Sequence, residues 1–330
     1  MLKFKDPATS RSTNPDRMDK RARNIIITIV LAVGILTPVW MWMRTPSEGS
    51  RFRSAVPTVT ATSGDASVAV DRSLMTVMEL QLKSFSAHYP ETRVSLTPEP
   101  SGRTVLRLLD REAGGAVVDG ALIREEDSVV ASLKRPVKRE PIARNALVFI
   151  VNRSNPVKSV TVPNLREIFA GRLTDWQNLG GKPGTITACI DGSDFRSRAV
   201  LSSVLFGRSG KIAATATVDI GKLISRVAED EHAAAIVTMP QYVAALKSGN
   251  GEKIRALPVG KETGAAPVDA TPTTIYSGEY PLVSIVYYLY DPFDPTATGF
   301  GAWLSKEGQK LFERGDIAPY RQTVRTIILK

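Results

Sequence analysis

The chain has 330 residues, 43% of them hydrophobic and 23% charged, enough for a sizeable core and too few apolar runs for a many-span transporter. Its 43 Lys/Arg against 33 Asp/Glu give a net charge of +10. Residues 1–55 alone hold ten of the bases and four acids, so the excess flanks one hydrophobic run, which argues against nucleic-acid binding.

Residues 1–24 are polar and lack apolar periodicity, and read as a cytoplasmic tail. Ile25 to Met43 follows without a single charge, and nineteen residues at the helical rise span about 28 Å, close to the bilayer core. This predicts one transmembrane helix, contacting lipid, with Trp40 and Trp42 at headgroup level and Pro38 near its end. A cleaved signal peptide is the rival reading, but the first small residue in a cleavage-like setting is Ala55. With no cysteine directly following the run, a lipoprotein anchor is not expected. Arg17, Lys20, Arg21 and Arg23 precede the span, which places the N-terminus in the cytoplasm and the large domain outside. Residues 44–64, with Pro46, Gly49, Pro57 and Gly64 among many Ser and Thr, read as a linker.

Beyond the linker, β-rich runs alternate with helical patterns, as in an α/β domain. Ser67–Val70, Val94–Leu96, Ala116–Val118, Ala146–Val151, Ala235–Thr238 and Val283–Tyr290 are expected strands. Leu74, Val77, Met78, Leu82 and Phe85 make a helical stripe over Leu74–Ala87. Val162–Ala170, Arg198–Leu205, Ile220–Ala228 and Gly299–Arg314 are the other expected helices.

Little in this stretch carries catalytic chemistry. Cys189, the only cysteine, excludes an intramolecular disulfide and reads as a small buried hydrophobe. His88 falls at a helix end beside Pro90, and His232 in an acidic turn with Glu229, Asp230 and Glu231 that reads as solvated. Asp191-Gly-Ser-Asp194 lacks the remaining oxygen ligands of a calcium loop. No hydrolase elbow, nucleotide loop, dinucleotide fingerprint or His-Glu-x-x-His pattern occurs, so neither an enzyme nor a cofactor or metal is expected.

Leu147 to Gly181 carries the most specific signal: Leu-Val-Phe-Ile-Val-Asn-Arg-Ser-Asn-Pro-Val, then Leu-Arg-Glu-Ile-Phe-Ala-Gly-Arg-Leu-Thr-Asp-Trp-Gln-Asn-Leu-Gly-Gly. It resembles the phosphate-binding proteins of bacterial ABC transporters, in which Val-Asn-x-x-Asn-Pro ends a strand, Ile-Phe-x-Gly ends a helix, and Thr-x-Trp follows. Tyr280-Pro-Leu, Trp303-Leu-Ser-Lys-Glu-Gly-Gln-Lys-Leu-Phe and Ile317-Ala-Pro319 resemble that family's closing segments. The resemblance implies a two-lobed α/β fold of periplasmic-binding-protein type II over residues 65–330. One lobe would comprise about 65–143 plus 282–330, the other about 144–281, with a ligand clamped between them.

In that family, hydroxyls, helix-start N–H groups, an Asp and an Arg hold phosphate, since helix N-termini and guanidinium groups favour anions. Carried over, these roles fall on Ser73, Ser101, Gly102, Arg103, Arg196 and Ser197. Ser73 reads equally as an ordinary helix cap. The ligand Asp is lost, its segment falling on Gly114-Gly115-Ala116 with Asp119-Gly120 nearby. The Ser-Gly-Thr-Arg segment falls on Phe195-Arg196-Ser197-Arg198 or Ser193-Asp194-Phe195-Arg196, where Phe or Arg in place of Gly would crowd an anion. Arg103, Arg196 and Arg198 are the candidate replacements for the lost charge, the plain alternative being that all three are solvated.

The expected protein is therefore anchored in a bacterial inner membrane with a periplasmic domain that binds phosphate or a related oxyanion, serving a transporter or sensor. The alternative is an accessory subunit of a larger membrane complex, such as an energy-transducing one, that reuses the fold.

Overall fold

A computed structural model describes residues 59–192, 195–207, 211–217 and 219–322. The expected tail, the helix at Ile25–Met43 and most of the linker lie outside the described residues. Among those described, no helix is long and apolar enough to cross a membrane.

The strands are β1 (Gly64–Asp71), β2 (Thr92–Glu99), β3 (Gly115–Asp119), β4 (Lys138–Asn152), β5 (Val160–Thr161), β6 (Thr187–Asp191), β7 (Thr215–Thr217), β8 (Ala233–Thr238), β9 (Ile254–Ala256), β10 (Val259–Gly260), β11 (Val283–Tyr290) and β12 (Ala318–Pro319). The helices are α1 (Met75–His88), α2 (Ser101–Leu109), α3 (Arg124–Ser132), α4 (Val162–Phe169), α5 (Phe195–Phe206), α6 (Ile220–Glu229), α7 (Met239–Leu246), α8 (Pro272–Ser277), α9 (Pro295–Ser305) and α10 (Gln309–Phe312).

Two lobes share one continuous sheet because β4 is long enough to serve both. Its first half pairs with β11, out to Ala146 opposite Val283. From Leu147 onward it pairs with β8 instead, and at its end with β9. In the first lobe β2, β1 and β3 run parallel and β11 closes against β3 in the opposite direction. In the second, β8, β6 and β7 run parallel beside β4. The chain returns beside the same crossing point, where Leu147 N–H donates to Leu282 O at 2.9 Å and Tyr280 Oη donates to Leu147 O at 2.8 Å.

Each lobe has its own core, as the alternating β and α pattern requires. In the first, the apolar stripe of α1 brings Phe85 edge-on to Phe300 and Trp303, with ring centres 5.1 and 5.9 Å apart. In the second, Phe149 of β4 meets Phe169 of α4 at 6.3 Å. Cys189 is fully buried there, as its apolar neighbours imply.

Several boundaries differ from the sequence reading: β4 begins at Lys138 rather than the expected Ala146, and α5 at Phe195 rather than Arg198. The helix expected at Gly299–Arg314 begins earlier, at Pro295, because Asp294 caps it by accepting from Ala297 N–H at 2.9 Å. It then breaks after Ser305: Gly308 lies against Gln81, which donates from Nε2 to Gly308 O at 2.9 Å, and the chain restarts as α10. At the other end β1 already begins at Gly64. Thr60 and Ser63 form a small turn whose carbonyls accept from Thr296 Oγ1 at 3.3 and 3.4 Å, so this end of the linker is strapped onto α9.

Candidate functional site

The carboxyl ends of parallel strands are where an open α/β sheet exposes its unpaired helix starts. Here those ends are Asp71 of β1 and Asp119 of β3, only 5% and 6% exposed. Asp71 turns the chain into the 3-10 segment Arg72–Leu74, its Oδ1 accepting from Ser73 N–H at 2.9 Å and Ser73 Oγ at 2.8 Å. Ser101, the first residue of α2, donates its hydroxyl to the other oxygen, Oδ2. Two of the residues expected at an anion site are thus brought together, on a carboxylate of the chain itself.

Helix α2 opens at Ser101 and Gly102 behind Pro100, which offers no side-chain cap. Phe195 of the other lobe, itself 60% exposed, lies beside Gly102. A β-carbon on Gly102 would lie 3.0 Å from its ring, so only glycine fits comfortably. Arg103 does not join the cluster: its side chain is 68% exposed and lies 3.9 Å from Glu99.

Asp119 accepts from Asn145 Nδ2 at 2.7 Å through Oδ2, and Asn145 Oδ1 accepts from Ala146 N–H at 2.9 Å. Its second oxygen and the neighbouring Ser284 hydroxyl have no well-formed partner among the described residues. Burial, reinforced by the nearby Asp71 charge, pushes the Asp119 carboxyl up to about 6, against the opposing pull of Ser284, Asn145 and Arg196.

Arg196 departs from the solvated alternative. It is fully buried, whereas Arg198 is exposed and donates from Nη2 to Ile212 O at 2.7 Å. From α5 in the second lobe, Arg196 Nη2 reaches Asp119 O at 3.0 Å and Gly120 O at 2.9 Å. Its Nη1 reaches Ala121 O and Glu126 Oε2, each at 3.2 Å. All four acceptors belong to the first lobe. Glu126 also accepts from Ile123 N–H at 2.9 Å, fixing the start of α3, and burial holds its carboxyl above the usual range despite Arg196. Gly120 presents its carbonyl through a left-handed turn (φ +78°), and a β-carbon there would collide with Val200 of α5. Ser197, next along α5, is half-buried.

Of the expected residues, Ser73 and Ser101 share the Asp71 carboxylate, whereas Arg196 bonds the segment after β3; sequence reasoning missed Asp71 and Glu126. Asp71 had a signal, an Asp two residues before a Ser at a strand end, which favours a local carboxylate turn. Glu126 had only its place three residues after Ile123, without the hydroxyl that marks a capping box. A depression of about 500 Å³ lies at the opposite, amino end of β1, lined by Asp65, Ser67, Arg93, Arg111 and Asp294 among others, and touches none of this cluster.

The PBP superfamily domain matches residues 55–307, about three quarters of the chain, and the chain belongs to that superfamily. It is 24% identical over 117 residues to phosphate-binding protein PstS 2 of Streptococcus pneumoniae, 36% of this chain and 38% of that one. It is 25% identical over 190 residues to protein SphX of Synechococcus elongatus, 49% of this chain and 52% of that one. The chain thus spans between a third and about half of these relatives' length. In fold it is similar to a phosphate ABC transporter substrate-binding protein from Clostridium perfringens, solved with bound phosphate (TM-score 0.63, 18% identity, 78% of this chain and 100% of that one). An ABC-type phosphate transport receptor from Vibrio cholerae gives a TM-score of 0.58 at 19% identity, covering 76% and 97%.

Proposed function

We propose that this is an extracytoplasmic solute-binding protein for phosphate or a related oxyanion, held at a bacterial inner membrane by Ile25–Met43 and serving a membrane transporter or sensor. Its lobes would be 65–143 with 282–330, and 144–281, with no catalytic role. One observation supports the reading: at the carboxyl ends of the neighbouring strands β1 and β3, two hydroxyls donate to Asp71 and an arginine from the facing lobe bonds the turn after Asp119. Ser73, Ser101, the Gly102 amide and Arg196 would hold the anion, with Ser197 beside them and Arg103 adding charge at the rim.

A second reading rests on an equally specific observation. Arg196 already has four acceptors, and Phe195 sits on the start of α2, so the fold would serve as a solute-free accessory subunit of a larger complex. Titration calorimetry on the full chain in mild detergent separates the two. Heat with phosphate that Ser101→Ala weakens supports the receptor. Absence of heat with millimolar phosphate and sulfate, together with co-purification of stoichiometric membrane subunits, supports the accessory role.

A further inference from the structure

We infer that Arg196 is an internal latch that closes the two lobes on each other with no solute between them, and that a solute enters only by releasing it from Glu126. The inference deepens the receptor reading, since it concerns the same cleft.

A two-lobed clamp stays shut when something bridges it with bonds that neither lobe satisfies alone. Here the bridge is a side chain. The guanidinium of Arg196 is fully buried, and its hydrogen bonds run to the Asp119, Gly120 and Ala121 carbonyls and the Glu126 carboxylate, all on the opposite lobe. Only Glu126 among these acceptors carries charge. Parting the lobes therefore breaks the bridge's one charge-assisted bond along with its three carbonyl bonds.

The surrounding contacts have the same direction. Val200, four residues along α5, fills the space a side chain would need at Gly120, and Phe195 covers Gly102. Three positions of α5 thus meet three backbone features of the first lobe: the start of α2, the turn after β3, and the carbonyls leading to α3. An oxyanion that recruits Arg196 must compete with Glu126 for the same guanidinium. Its apparent affinity is then reduced by the stability of the self-closed state.

Distance measurement between spin labels tests this without reference to any ligand. Glu79→Cys on α1 and Lys247→Cys after α7 place labels at exposed positions of the two lobes, in a Cys189→Ala background of the full chain in detergent. In phosphate-free buffer the expected result is one narrow distance distribution, unshortened by added phosphate. Arg196→Ala should move it to longer, broader distances, and Arg196→Lys, which keeps the charge but loses the fork, should do so partly. A broad distribution in the unsubstituted latch overturns the inference, as does Arg196→Ala leaving a folded chain's distances unchanged. Calorimetric failure to bind phosphate sinks the receptor reading alone, and the ligand-free distances are unaffected by it.

Discussion

Replacing Asp119 by Asn tests whether a buried carboxyl at the lobe boundary is held against its preference. The group is almost completely buried, and its folded pKa of about 6 stands above the ordinary 3.8. The folded state therefore binds this proton more tightly than the unfolded chain. Its stabilising contribution is complete below about pH 3.8 and disappears as the pH rises through about 6. A rise of about 2 pH units at roughly 1.4 kcal/mol each gives a penalty on the order of 3 kcal/mol once the carboxylate is fully ionised. The substituted side chain would keep the shape and still accept from Asn145 through its amide oxygen. Asp119→Asn should accordingly match the natural chain near pH 4 and exceed its stability by up to about 3 kcal/mol at pH 8. Urea unfolding followed by tryptophan fluorescence gives the comparison, since Trp176 and Trp303 are 2% and 4% exposed. A substituted chain that is no more stable than its parent at pH 8, or a difference independent of pH, refutes the reasoning.

Glu126→Gln removes the charge that competes for Arg196, so oxyanion affinity should rise by about tenfold in calorimetry while the unliganded chain loses stability. Trp176→Ala deletes an anchor whose Nε1 donates to His232 O at 3.0 Å, and should cost about 3–5 kcal/mol in urea unfolding. Gly115→Ala would drive a methyl group into the Tyr288 ring, whose hydroxyl is tied to Ala297 O at 3.0 Å, and should cost about 1–3 kcal/mol by the same assay without altering anion affinity.

The motif that was easiest to recognise is scaffold, and the site was harder because its residues depend on long-range partners. Asn152 donates to Val227 O and Ala228 O at 3.0 and 2.9 Å, and Asn155 accepts from Val157 N–H at 3.0 Å, so both shape the exit from β4. Gly171 ends α4 at φ +74°, and Trp176 plugs the loop that follows. These are local demands on turns and caps, visible in residue type and spacing. The burial of Arg196 is decided by a loop about 70 residues earlier in sequence, and no periodicity in α5 announces it. Likewise Ser73 and Ser101 are ordinary helix-start residues until the parallel pairing of β1 with β2 and β3 brings their helices to one edge.

The charge arrangement decides which reading of the cleft is physically coherent. Among the described residues Arg196 pairs with the buried Glu126, and Asp119 adds a buried carboxylate that gains its proton near pH 6. A dianion placed there without rearrangement would be repelled, and the hydroxyls of Ser73 and Ser101 would have to leave Asp71 to greet it. Binding therefore requires either separation of the lobes, which hydrates Glu126 and frees Arg196, or a proton on the ligand or on Asp119. If the cleft is a receptor, phosphate affinity should strengthen as the pH falls through about 6, where Asp119 gains its proton, and Asp119→Asn should remove that component and leave only the ligand's own titration. If the cleft is a permanent structural joint, acidification should tighten the fold and leave phosphate heats at zero. Calorimetry at pH values on either side of that transition, with the Asp119→Asn chain as control, decides between them.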